Sequence, residues 1–270
     1  MNNSEELINK SLSIRIATNG LSFCTYTPMA RQPFVYKEWD VNPTISLAAN
    51  LKNALMMLPM LKETYQRVNV MIVSPRTTAI PVVDFDAEKI EDIYNFNFPN
   101  AEGMHTTYNI MRKSGIAVVF GIEKNIYQLL LDDFPHARFY ASQSTLMEYF
   151  GNKTRMSNKR WIFAYMHERE VTLYAFNSGR FICFNTFAIT TADDGIYYIL
   201  SLLQQLNFSQ VEDTLTIIGN TGQEGDLSAI SQNFFKNVTV VDCKEEFRNS
   251  ITGGEPSIPF DLQTLLICGF

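Results

Sequence analysis

The feature that most constrains this chain is an order of predicted elements that occurs twice. Near Leu12 and again near Trp161, three strand-like runs are followed by a helix and then by another strand. In the second copy, residues 161–166 and 171–176 are rich in aromatic and β-branched residues, and only short polar breaks separate neighbouring runs. Short breaks join antiparallel strands, whereas strands joined through a helix usually lie parallel. The order therefore predicts a mixed sheet in each half of the chain.

The second copy changes its hydrophobic period after Thr191. Asp193 and Asp194 stand where the first helical turn begins, and carboxylates there suit the helix dipole. Apolar residues then recur on one helical face, at Ile196, Ile199, Leu200, Leu203 and Leu206. A strand at 214–218, a further helix and a strand at 238–241 complete this copy.

The first copy begins with a predicted hairpin. Residues 12–17 and 21–26 alternate in polarity around Thr18-Asn19-Gly20, and an Asn-Gly pair favours a turn whose two central residues need positive φ. A third strand is predicted at 33–39 and a fourth at 68–73. A leucine stripe between them predicts a helix, at Leu47, Leu51, Leu55, Leu58 and Leu61.

Residues 76–113 have no counterpart in the second copy, so we interpret them as a small inserted subdomain. The main pattern resumes at residue 116 and ends the first half with a helix over 144–150. The predicted organisation is a first lobe of residues 1–152, a linker of residues 153–160, and a second lobe of residues 161–270 with a C-terminal helix.

Charge and composition exclude several classes of function. The net charge of −6 argues against nucleic acid, which is bound through clustered Lys and Arg. No apolar run reaches the roughly 20 residues that span a bilayer, and the start lacks a secretory signal pattern, so we expect a cytoplasmic protein. Residues 152–160 carry four cations, which predict either an anion-binding patch or, preferably, a solvated linker.

Motifs for catalysis and metal binding are missing from the sequence. There is no phosphate-binding Gly-x-x-x-x-Gly-Lys run and no Gly-x-Ser-x-Gly elbow. His105, His136 and His167 have no His or Cys neighbour at metal-ligand spacing. The four cysteines are far apart and are expected to be buried free thiols, at Cys24, Cys183, Cys243 and Cys268. We therefore expect no metal site.

The duplicated order resembles the actin-like ATPase superfamily, whose members repeat an RNase H-like unit. It is more closely similar to the bacterial pilus-assembly actin-like proteins and the cytoplasmic domain of their secretion-system relatives, in which a strand-proline segment such as Val73-Ser74-Pro75 leads into a small insertion. The Leu-Ser-Phe-Cys start at 21–24 and the Pro-Phe-Asp-Leu end at 259–262 resemble an uncharacterised bacterial family of actin-like fold. The resemblance implies an α/β protein with a duplicated RNase H-like fold: two lobes of mixed sheet flanked by helices, with a small insertion in the first lobe.

The resemblance also implies where a nucleotide would bind. An active member carries an Asp near a Gly after its first strand, to place Mg²⁺ against the phosphates. Here that place reads Ala17-Thr18-Asn19-Gly20, so the turn remains but the carboxylate is absent. In the second half, Glu168 is the one substitute. Gly219 and Asn220 fit the glycine loop that holds adenosine in position but not fully in sequence, and a tight turn or helix cap explains Gly219 more simply.

Two functions follow from this comparison. The preferred one is a non-catalytic actin-like protein that binds an unidentified protein partner as a scaffold, with no cofactor. The alternative is a divergent ATPase or phosphotransferase that holds Mg-ATP in the interlobe cleft. Its nucleotide-binding residues would be Asn19, Gly20, Glu168, Gly219 and Asn220. Losing the metal-holding carboxylate removes several kcal/mol of transition-state stabilisation, which favours binding over catalysis. The sequence specifies neither the partner nor the oligomeric state.

Overall fold

The chain divides into two compact units in a computed structural model that describes residues 10–28, 30, 33–219, 222 and 224–268. The first unit holds the residues up to Met111 together with Gly115–Ser144. The second holds Arg112–Ser114 and the residues from Thr145 onward. We describe each unit by itself.

The first unit contains a five-stranded mixed sheet and a three-stranded sheet. Its strands are β1 (Ser11–Ala17), β2 (Gly20–Tyr26), β3 (Phe34–Asp40), β4 (Arg67–Ile72), β5 (Thr77–Pro81), β6 (Met104–Met111), β7 (Ile116–Glu123) and β8 (Arg138–Ala141). Its helices are α1 (Leu47–Met57), α2 (Ile90–Asn97), α3 (Lys124–Asp133) and the start of α4 (Ser142–Thr154), with short 3-10 turns at Pro59–Lys62, Val82–Asp84 and Ala87–Lys89. The larger sheet has the order β3-β2-β1-β4-β8.

The second unit contains the other five-stranded sheet. Its strands are β9 (Arg160–His167), β10 (Glu170–Asn177), β11 (Arg180–Ala188), β12 (Thr214–Gly219) and β13 (Asn237–Val240). Its helices beyond the end of α4 are α5 (Ala192–Gln205), α6 (Glu224–Ser231), α7 (Cys243–Glu246) and α8 (Phe260–Cys268). The sheet order is β11-β10-β9-β12-β13.

The two five-stranded sheets have the same order and the same strand directions. In each, three antiparallel strands form a meander, and the two following strands run parallel to the first strand of that meander. This confirms the predicted duplicated α/β fold.

The three-stranded sheet extends the predicted insertion. Its order is β5-β7-β6, and β7 pairs antiparallel with both neighbours. The sequence pattern ends the insertion at residue 113 and returns residues 116–120 to the main pattern, but β7 belongs to this small sheet. The sheet predicted for β7 is therefore wrong. An apolar run indicates a buried strand, but it does not determine which strands will pair with it.

The first hairpin forms with a different turn from the one predicted. Ala17 pairs directly with Gly20, so Thr18 and Asn19 are its central residues. Among the described residues with positive φ, neither Asn19 nor Gly20 is found. The β10–β11 hairpin instead has the positive pair, Ser178 at φ 50° and Gly179 at φ 76°.

The two faces of the second sheet pack against different partners. One face is aliphatic, and its buried side chains, such as Ala164 and Ile217, form one cluster with residues of α5 and α6. The other face is aromatic: Phe150 of α4 stacks on Phe163 of β9 with ring centroids 4.3 Å apart. Phe260 of α8 joins the same group. Aromatic pairs at these distances add to the stability that burial alone provides.

Candidate functional site

The end of β1, where the resemblance to actin-like proteins implies a carboxylate in active members, is apolar. Ala17 is buried, and the Thr18–Asn19 turn that follows is exposed. A cavity of about 110 Å³ lies beside the turn, and Glu123 is the one ionisable residue among the described residues that line it. Small-molecule pockets usually measure roughly 300–1,000 Å³, so this cavity is too small for a nucleotide.

The second hairpin places a buried histidine at the position that corresponds to Ala17. His167 Nε2 lies 3.1 Å from Thr172 Oγ1, which in turn lies 2.9 Å from Thr186 Oγ1. These contacts form a polar chain across β9, β10 and β11. The imidazole therefore has a structural role in holding three strands together at this end of the sheet.

Glu168 follows His167 in the exposed turn, with φ 53°. Burial, together with the charge of Glu168, raises the pKa of the nearby Glu170 carboxyl group. Arg169 lies between the two carboxylates, so the turn keeps a net negative charge, which disfavours a phosphate there because like charges repel.

Gly219 ends β12 beside the second hairpin. It pairs with Met166, so Gly219 and Glu168 lie at the same end of neighbouring parallel strands. A Cβ atom on Gly219 would lie 2.5 Å from the Met166 carbonyl oxygen and 2.5 Å from Glu224 Oε1. Glycine is needed because the backbones approach closely. This packing accounts for Gly219 without a ligand.

The predicted nucleotide-binding residues are thus distributed over both units. Asn19 and Gly20 belong to the first unit, and Glu168 and Gly219 belong to the second. Asn220 lies outside the described residues. A Cβ atom added to Gly20 would have open space around it, so packing against the described residues does not require glycine at that position. Nucleotide binding by this set stays a prediction.

Among the described residues, no group of three His, Cys, Asp or Glu side chains lies close enough to hold a metal ion. The four cysteines are free thiols. Burial raises the pKa of Cys24 and of Cys268 to about 12, which keeps both thiols uncharged and poorly nucleophilic near neutral pH.

The cation-rich segment 152–160 is engaged in pairing within the second unit. Lys153 Nζ lies 2.5 Å from Glu246 Oε1, and Arg160 Nε lies 3.1 Å from an Asp213 carboxylate oxygen. Because two of its four cations already have carboxylate partners, the segment is a weak candidate for an anion-binding patch.

Sequence reasoning missed two polar features of the first unit. Asn109 of β6 uses its side-chain amide to bond the backbone of β8. Separately, a cavity of about 400 Å³ is lined by Gln66, Arg67, His136 and Arg138. Neither feature forms a sequence motif, because each depends on residues brought together by strand pairing.

Comparisons with known proteins support the fold. A Bacteroides thetaiotaomicron protein with an actin-like ATPase fold and unknown function is 32% identical to this chain, with a TM-score of 0.85 and 99% of both chains covered. A chain of the PilM-PilN type IV pilus biogenesis complex is 11% identical, with a TM-score of 0.51 over 94% of this chain and 96% of that one, which shows the fold alone.

No curated protein matches the sequence. Within the described residues, no helix has the length and apolar character needed to cross a membrane. Residues 1–238 match the family described as "Protein of unknown function (DUF3822)". Because that match covers most of the chain, this protein belongs to the DUF3822 family and has an actin-like fold.

Proposed function

We propose that this chain is a non-catalytic actin-like protein that acts by binding another protein. The observation that carries the proposal is the apolar end of β1, where Ala17 and Thr18 take the place of a metal-holding carboxylate. Without that group, a bound phosphate chain would lack the charge arrangement that in-line phosphoryl transfer requires.

The second unit supports the same proposal. His167 is engaged with Thr172, and Glu168 and Glu170 bring negative charge to the turn. Glu224 also brings a carboxylate close to Gly219. A phosphate at this end of the sheet would therefore meet several carboxylates, which raises the cost of binding it.

A further support comes from the fold neighbour in the PilM-PilN type IV pilus biogenesis complex, because that structure is of a protein–protein complex. Fold similarity does not establish function, so it serves here only as an analogy. We extend the proposal to domain organisation: the chain acts as two lobes, and the second lobe begins near Thr145 and includes the predicted linker 153–160, rather than beginning at residue 161.

Thermal unfolding with and without Mg-ATP tests the proposal against a divergent ATPase. We expect no change in melting temperature with Mg-ATP, Mg-ADP or a non-hydrolysable analogue. Binding to the native state at 100 times Kd would stabilise it by about 2.7 kcal/mol, enough to shift the melting temperature by ~5 °C or more.

Phosphate release from ATP is measured on the same samples, with EDTA as the control for magnesium. A shift in melting temperature together with EDTA-sensitive release would overturn the proposal in favour of an ATPase. A shift without turnover would restore a nucleotide site to the protein while leaving catalysis excluded.

A further inference from the structure

The outer edge of β8 in the first unit is closed by a side chain. Asn109 Nδ2 donates to the Phe139 carbonyl oxygen at 2.8 Å, and the Ala141 N–H donates to Asn109 Oδ1 at 3.0 Å. One amide thus satisfies a donor and an acceptor, as the backbone of a neighbouring strand would. Asn109 belongs to β6, in the small sheet that follows the first four strands.

The corresponding edge in the second unit belongs to β13. The two sheets can be aligned by counting residues from the β1–β2 turn in the first unit and from the β9–β10 turn in the second. In this alignment, Phe139 of β8 corresponds to Val240 of β13. Ala141 is then level with Asp242. The Val241 N–H donates inward to the Ile217 carbonyl oxygen at 2.9 Å. The N–H and C=O groups of Val240 and the N–H of Asp242 therefore point outward, because successive residues of a strand alternate in direction. The Asp242 C=O accepts from the Glu246 N–H of α7 at 2.9 Å.

No strand covers the outer edge of β13 in the described part of the second unit. The connection from β12 to β13 contains α6, and its described residues form no inserted sheet like the one that supplies Asn109. Val240 is 47% exposed, and Thr239 and Asp242 are also accessible. The edge is open at the same place where the first unit closes it.

A groove of about 440 Å³ runs beside this edge. Its floor includes Trp161 and Phe163, whose rings stack with centroids 5.6 Å apart, and Thr239 beside them. Phe163 is itself buried, so the accessible aromatic surface next to the outward-pointing backbone groups is that of Trp161. That combination suits an extended segment, which gains affinity from main-chain hydrogen bonds and specificity from alternate side chains.

The charge of the rim indicates which segment would fit. Three lining carboxylates belong to Asp242, Glu245 and Glu246, and one lining cation belongs to Lys153. Lys153 pairs with Glu246, and Arg248 pairs with Glu245 at 3.2 Å. The negative excess that the rim keeps is the charge of Asp242, whose carboxylate also accepts from the Lys244 and Glu245 N–H groups. This charge favours a basic residue in the occupant.

We propose that the edge of β13 binds an extended segment of a partner protein, which pairs with the N–H and C=O groups of Val240 and with the Asp242 N–H. The segment places an apolar or aromatic side chain over Trp161 and a Lys or Arg beside Asp242. This inference rests on the proposed protein-binding function and names the surface that carries it.

The other edge strand of the first unit's large sheet, β3, has charged residues that discourage pairing with another chain, whereas β13 has none. Strand β3 has Lys37, Glu38 and Asp40, and charged edge residues discourage pairing with another chain. The sequence of β13 is Asn-Val-Thr-Val, with neither a charge nor a proline. Because β13 has four residues, its uncharged edge can pair with a short extended segment only.

Val240→Pro is the sharpest test, because proline removes an outward N–H and leaves the inward ladder to β12 intact. The tagged full-length chain is expressed from its own gene, with p-benzoyl-L-phenylalanine replacing Thr239 as a photo-cross-linker. We expect a cross-linked adduct whose attachment site maps to an extended segment carrying a Lys or Arg. The Val240→Pro change should reduce the adduct at least tenfold.

Val240→Lys is a second test, and Val211→Lys is its matched control, since Val211 is a valine of the same unit that is 59% exposed and does not line the groove. Val240→Lys should reduce the adduct, and Val211→Lys should leave it unchanged. Circular dichroism of each variant confirms that the fold is retained. Hydrogen exchange supplies a second readout, because the amides of Val240 and Asp242 should be protected only in the complex.

The outcomes separate this inference from the proposed function. An adduct that survives Val240→Pro, with partner binding intact, would overturn the surface and leave the scaffold function standing. An adduct between two copies of this chain would overturn the choice of a foreign partner. Failure to recover any partner with cross-linkers at Thr239 and at exposed sites elsewhere would count against the scaffold function itself.

Discussion

Gly219 shows how a residue that resembles part of a ligand site is explained by packing. The sequence predicted either a nucleotide loop or a tight turn at this position. The structure adds the reason for glycine: a side chain would meet both the Met166 backbone and the Glu224 carboxylate. Sequence could not supply this reason, because Met166 and Glu224 come from a different strand and from the helix that follows.

We predict that Gly219→Val destabilises the protein in the absence of any nucleotide. The clash requires backbone movement, and overpacking of this kind usually costs ~1–3 kcal/mol. Urea unfolding measures the loss. Gly225→Ala is the control, because Gly225 lies in α6 with open space where its Cβ would be, and alanine there should stabilise the helix by up to ~1 kcal/mol.

If Gly219→Val unfolds at the wild-type urea concentration, the packing explanation is wrong and a ligand role regains weight. If the variant is destabilised as expected, it cannot be used as a probe of nucleotide binding, since any loss of binding would follow from the altered β12 end.

At the scale of elements, α5 is the clearest success of sequence reasoning. The aspartates after Thr191 predicted its first turn, and the structure refines them into a capping box. The Thr191 side chain accepts from the Asp194 N–H, and Asp194 accepts from the Thr190 and Thr191 N–H groups at 2.8 and 2.9 Å. Local sequence encodes this arrangement completely, because all its partners lie within four residues.

Thr191→Ala should reduce the stability of the protein by ~1 kcal/mol, the usual effect of losing an N-cap side chain.

The pH dependence of stability tests the second residue of the capping box, Asp194. Hydrogen bonds from the Thr190 and Thr191 N–H groups lower the pKa of Asp194 below its ordinary value of 3.8. Asp194 therefore stabilises the fold above that value, and this contribution is lost as the pH falls through the lower folded-state pKa.

Melting temperatures of the wild type and Asp194→Ala, recorded from neutral to strongly acidic pH, measure this effect. The gap between the two proteins should be widest at neutral pH and should narrow once the pH drops below the ordinary aspartate pKa of 3.8. A gap that stays constant over the whole range would show that the carboxylate charge of Asp194 does not contribute.

Hairpins and the inserted sheet show where element-scale prediction fails. Alternating runs located β1 and β2 correctly, but the Asn-Gly pair does not form the predicted turn, because the strands pair one residue earlier than that turn requires. Register is set by burial on both faces of β1, and that burial is a tertiary property. The partners of β7 were missed for the same reason.

At the scale of the whole molecule, the duplicated order was readable from sequence because each half repeats its change of period. The boundaries of the two lobes were harder to predict from the sequence. The sequence pattern places residues 144–150 in the first lobe, yet Phe150 stacks on Phe163 of β9, and Tyr149 hydrogen-bonds Glu246. These contacts are made by tertiary packing, so no local pattern reveals them.

Two fragments test where the second folding unit begins. A fragment of residues 145–270 keeps the Phe150–Phe163 stack and the Lys153–Glu246 pair, whereas a fragment of residues 161–270 lacks both. We expect the longer fragment to unfold cooperatively in urea and the shorter one to be less stable by several kcal/mol, since losing a buried Phe alone costs ~3–5 kcal/mol.

Equal stability of the two fragments would support a lobe that begins at residue 161. Failure of both to fold would show that the second sheet depends on residues outside the fragments.

The indole of Trp161 gives the molecule a built-in optical reporter. The chain has just two tryptophans, Trp39 and Trp161, and Trp161 forms part of the groove floor while its Nε1 donates to Ser157 Oγ at 3.1 Å. In a Trp39→Phe background, emission would come from one fluorophore at the β13 edge. Quenching by acrylamide would then follow occupancy of that edge in real time, without any label.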